Sequence, residues 1–161
     1  MRRTIAIFLV MTMTISAPAQ AAVECLSDAE IVTLVRSVYT RAIGRVMRIC
    51  ADNYRNLDQR AINATTEFLS TYADPMRRNR EAANQIMARI YENWEYAFAQ
   101  FLTQGTSGDE AWAYAASESQ CLDEIDKVED MAALGDYERA MTNERTQRQF
   151  DSERPSIPRC E

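Results

Sequence analysis

"ECLSDAEIVTLVRSVYTRAIGRVMRIC", residues 24–50, decides the fold. Ser27 suits a helix N-cap, and Glu30 falls three places later, the spacing of a capping box. Leu26 and Ile31 stand at the two positions of a hydrophobic staple. Ile31, Val35, Val38, Ala42, Val46 and Ile49 then recur at three- and four-residue steps, and Val32, Tyr39, Ile43 and Met47 widen the stripe. Arg41, Arg45 and Arg48 fall on the other side with Thr33, Ser37 and Gly44. The spacing predicts a core-facing helix over 28–52.

Two cysteines bracket that helix. At 1.5 Å per residue, Cys25 and Cys50 stand ~37 Å apart. A disulfide needs its Cα atoms within about 7 Å, so this pairing is excluded, and Cys121–Cys160 with it. Two pairings remain, and the rest of the chain separates them.

Beyond residue 52 the sequence stays helical, with 4 glycines and 4 prolines in 161 residues and repeated 3.6-residue periodicity. Leu57, Ala61, Phe68 and Tyr72 mark a second helix over about 57–73, and Asp74-Pro75 ends it or begins the next. Ala83, Ile90, Trp94 and Phe101 mark a third over about 76–104, with Gly105 as its stop. Ser107 and Glu110 repeat the capping-box spacing and open a fourth helix through Trp112, Leu122 and Ile125 to Gly135. Asp136 caps a short fifth helix to about 149, and the tail 150–161 is irregular. Short connections favour antiparallel neighbours, so the expected architecture is all-α, an up-down antiparallel four-helix bundle over 22–149.

Bundle height then fixes the cysteines. One helix up, a shorter one down, a long one up and part of a fourth down bring Cys121 to ~36 Å, level with Cys50. The tail is free to return beside Cys25. The expected disulfides are Cys50–Cys121 and Cys25–Cys160, the second tethering the tail.

The chain start points to export. Arg2 and Arg3 precede an apolar run, Ile5 to Ile15, and Ala19-Gln20-Ala21 fits a secretory cleavage site, so residues 1–21 read as a signal peptide. Four cysteines in a small exported domain are disulfide material. The expected home is the periplasm or the extracellular space.

The formal net charge is −6, which argues against nucleic acid as a partner. The charge is uneven: residues 31–89 carry ten arginines against five acids, and residues 90–161 carry six basic residues against sixteen acids. "PMRRNRE" places Arg77, Arg78 and Arg80 in the first turn of the third helix, where the helix dipole disfavours cations and draws anions. These three are the anion-binding candidates, set against the plainer expectation that they pair with the acidic half.

No histidine occurs, which removes Ser/His and Cys/His triads and histidine metal sites. No P-loop, GxGxxG or CxxC motif occurs either. No cofactor or metal is expected. Asp123, Asp126 and Asp130 share one helix face in the densest acidic group, which reads as a solvated surface. Glu118-Ser119 in "YAASESQC" resembles the Glu-Ser pair of lytic transglycosylases, over two residues and without that family's Gly-Leu-Met-Gln signature. The resemblance implies Glu118 as the carboxylate of an envelope hydrolase.

Trp94, Phe98, Phe101, Trp112 and Tyr114 concentrate aromatic surface in one part of the chain. The third helix is expected to overhang the first by ~18 Å, exposing this aromatic end as a partner surface. Together these features predict a non-enzymatic protein-binding module, with another envelope or secreted protein as partner. A carrier of a small apolar or lipid molecule is the alternative, and a carboxylate hydrolase comes third.

Overall fold

The computed structural model describes residues 25–142 and residue 160. Among these, six helices follow in order: α1 Asp28–Asn53, α2 Asp58–Thr71, α3 Ala73–Ile90, α4 Trp94–Ala115, α5 Glu118–Ala133 and α6 Tyr137–Ala140. Among the described residues there is no strand. The expected leader, and the expected fifth helix beyond Thr142, lie outside the described residues.

α1 starts as its sequence dictates. Ser27 N–H donates to Glu30 Oε2 at 2.8 Å, and Glu30 N–H returns a bond to Ser27 Oγ at 3.3 Å. The expected stripe is buried, with Ile31, Val35, Val38, Ala42 and Val46 almost fully covered. Leu34 joins them, and Val32 is only half-buried. α1 is the spine: α2, α3, α4 and α5 all pack on it.

The bundle is up-down-up-down, but its turns are not where punctuation residues suggest. α2 and α3 are separated by Tyr72 alone. Tyr72 N–H donates to Phe68 O at 3.1 Å and Met76 N–H donates to Tyr72 O at 2.9 Å, so the backbone ladder runs almost unbroken through the junction. Pro75 removes one donor there, and the chain bends without reversing. The two helices form one descending arm. α2 covers the C-terminal half of α1, and Arg89 at the end of α3 reaches Glu30 at 2.6 Å.

The true reversal is at residues 91–93, in the middle of the helix expected over 76–104. α4 then climbs past Gly105, which sits inside it, to Ala115. Ser107 and Glu110 do not cap a helix. Ser107 Oγ donates to Gln104 O at 2.7 Å, and Glu110 accepts from Arg45 Nε at 2.9 Å. The working capping box is Ser117 with Gln120, which opens α5. Gly135, at φ 64°, closes it in the left-handed conformation that glycine adopts without strain. α4 does not overhang α1: Tyr54 Oη, just past the end of α1, donates to Ala116 O at 2.7 Å.

Two apolar clusters fill the interior. The lower one joins Ile31, Leu34 and Val35 of α1 to Ala83, Ile86 and Met87 of α3 and Phe98 of α4. The upper one joins the rest of α1 to α2, α5 and α6, with Phe68 and Tyr72 edge to face at 5.2 Å. Disulfides close both levels as expected. Cys50–Cys121 spans 5.6 Å between Cα atoms in the upper cluster, and Cys25–Cys160 spans 4.9 Å at the lower end. Cys160 N–H also donates to Leu26 O at 3.2 Å. Closed disulfides belong to an oxidising compartment outside the cytosol. No described helix is long and apolar enough to cross a membrane.

Candidate functional site

The arginine-rich start of α3 takes its position from one side chain. Asn79 Nδ2 donates to Thr33 O at 3.1 Å and to Ser37 Oγ at 2.9 Å, pinning α3 onto α1. Arg77 and Arg80, two places before and one after, then flank a surface groove of about 420 Å³ between α1, α3 and α4. Arg41 of α1 enters the same groove from its own helix. Met76, Phe98 and Leu102 give it an apolar floor, and Ser37, Thr40 and Asn79 add neutral polar groups. No carboxylate among the described residues lines it. Of the three expected anion-binding residues, Arg77 and Arg80 line the groove and Arg78 does not.

Electrostatics distinguish the three cations. Arg77 is held by Asp74 at 3.0 Å and Glu81 at 3.3 Å, and these acids raise its pKa further. Arg41 and Arg80 make no ion pair among the described residues. Pairing between the basic and acidic halves occurs, but elsewhere. Arg60 bridges Asp126 at 2.6 Å and Glu129 at 2.5 Å, Arg45 meets Glu110, and Arg36 meets Glu138. The groove is where the basic half keeps cations over apolar surface.

The aromatic candidates do not form one patch. Phe98 is buried in the lower cluster, with Trp94 and Phe101 packed against it. Trp112 packs against the upper cluster, ~27 Å from Trp94 along α4. Tyr114 is 68% exposed.

Glu118 is exposed at the first turn of α5, where it accepts from Asn56 Nδ2 at 2.6 Å. It lines neither the groove nor the depression between α1 and α2. Asp126 and Glu129 are engaged with Arg60, and no group of metal-ligating side chains occurs among the described residues.

Sequence reading missed Arg41, Met76 and Leu102 as partners of Arg77 and Arg80. The outward placing of Arg41 was visible; its convergence with α3 was not. The chain matches no protein-family model, no curated protein and no solved structure.

Proposed function

We propose that this chain is an exported, non-enzymatic binding module of the periplasm or extracellular space, and that its groove takes an acidic segment of another protein. One observation carries the reading: an acidic protein presents Arg41 and Arg80, with the ion-paired Arg77 beside them, around an apolar floor that no carboxylate among the described residues lines. Guanidinium groups grip carboxylates in paired hydrogen bonds, and partial desolvation by Met76, Phe98 and Leu102 strengthens each contact. Non-catalytic action is supported by the lack of histidine and by the distance in sequence and fold between Glu118 and the groove.

The test is fluorescence anisotropy with a labelled octapeptide alternating Glu and Leu, against its Lys-for-Glu counterpart. The acidic peptide binds, more weakly as salt rises, and the basic one does not. Arg41→Glu with Arg80→Glu weakens binding by at least about tenfold. Equal affinity for both peptides, or an unchanged affinity in the double variant, would overturn the reading.

The apolar floor supports a second reading, a carrier of a small anionic amphiphile. Native mass spectrometry of the protein purified from its own compartment separates the two. A co-purified lipid lost in the double variant selects the carrier.

A further inference from the structure

A second depression of about 400 Å³ opens between α1 and α2, floored by Gly44, Met47, Arg48 and Asp52. Arg41, Gly44, Arg48 and Asp52 follow one another at three- and four-residue steps, so both depressions lie along one helix face. That face has no side chain at its midpoint, where a Cβ built on Gly44 meets nothing within 4 Å. Beside it α2 presents Ile62, which lines the upper depression and is 50% exposed. Charge differs between the two depressions. The lower one carries Arg41, Arg77 and Arg80, and the upper one carries Asp52 and Asp58 around Arg48.

Resting on the binding reading above, we infer that the occupant is one amphipathic helix of the partner protein, laid along this face antiparallel to α1. Ser37 to Asp52 covers ~22 Å, which four turns of helix match. A helix carries partial negative charge at its C-terminal end and partial positive charge at its N-terminal end. Antiparallel docking sets the first over the arginines and the second over Asp52 and Asp58. Acidic residues therefore belong in the C-terminal half of the occupant. Its apolar residues recur at three- and four-residue steps, facing Met76 and Leu102 below and Ile62 above. Gly44 allows the closest approach between the two backbones.

The experiment uses the full mature chain, ¹⁵N-labelled, and two synthetic peptides of about 16 residues. Both carry leucines at helical spacing; one has its glutamates in the C-terminal half, the other in the N-terminal half. The first peptide gains helicity on binding and shifts the Gly44 and Arg48 amides together with those of Arg41 and Arg80. It binds at least about tenfold tighter than its isomer, and Gly44→Leu weakens it. Shifts confined to Arg41, Met76 and Arg80, with equal affinities and no effect of Gly44→Leu, would overturn the helix inference and leave the acidic-segment reading standing. No shift in either depression would overturn both. If vesicles of anionic phosphatidylglycerol shift these amides and the peptides do not, the occupant is lipid and the inference also falls.

Discussion

Ser27 and Glu30 show how much a single pair can specify. The Glu30 carboxyl is held below its ordinary value, first by the Ser27 backbone N–H and also by Arg89, which ties α3 to the start of α1. Glu110 is lowered in the same direction, chiefly by Arg45. A depressed carboxyl contributes stability that is complete above its unfolded value and is lost as pH falls through the folded one. Thermal unfolding between pH 7 and pH 3 should therefore show a falling midpoint that begins near the ordinary carboxylate range, at about pH 4.5. Replacing both residues by glutamine should flatten that part of the profile. Ser27→Ala should cost about 1 kcal/mol of stability in urea unfolding, through loss of the cap. Phe98 is a different kind of residue, since it lines the groove and is also buried in the lower core. Its removal should cost about 3–5 kcal/mol, so binding is tested on the arginines.

At the scale of elements, glycines decide whether α4 or the expected break is correct. Gly108 lies inside α4, and a methyl group added there would meet nothing within 4 Å. Gly108→Ala should therefore stabilise by about 0.5–1 kcal/mol. Gly135 sits at φ 64°, so Gly135→Ala should destabilise by about 1 kcal/mol. Opposite signs in chemical denaturation are the expected result. The first helix was legible because cap, staple and stripe agree at one place. The later boundaries were not. Gly105 and the Ser107/Glu110 spacing imitate a stop and a start, yet packing of α4 on α1 carries the helix through both. The real reversal at residues 91–93 holds neither glycine nor proline, and Asn93 makes no side-chain cap bond. Asp74-Pro75 reads as a turn because proline marks both reversals and bends, and only tertiary contacts separate the two.

Over the whole molecule, the disulfide pairing survives those misplaced turns for a simple reason. Cys50 and Cys121 meet because one descent and one ascent separate the start of α2 from the start of α5, wherever the lower reversal falls. The bridges close loops of 71 and 135 residues, and each restricts the unfolded chain by about 4–5 kcal/mol in the loop-entropy account. Cys50→Ser with Cys121→Ser should lower the thermal midpoint by many degrees, and reduction of the wild type should do the same. The groove was half legible. An arginine cluster at a helix start announces itself in sequence, but the company of Arg41, Met76 and Leu102 depends on an arm that bends at Tyr72 and descends past α1. The expected overhang of aromatic residues is absent for the same reason, since it vanishes once the lower turn moves to residue 91.

The arginines of the groove select the charge of what binds there, and a reversal of specificity tests this most directly. Arg41→Glu with Arg80→Glu should fold as the wild type does, lose the Glu-Leu peptide and gain affinity for its Lys-for-Glu counterpart. If folded double variant and wild type rank the two peptides alike, the groove does not govern recognition.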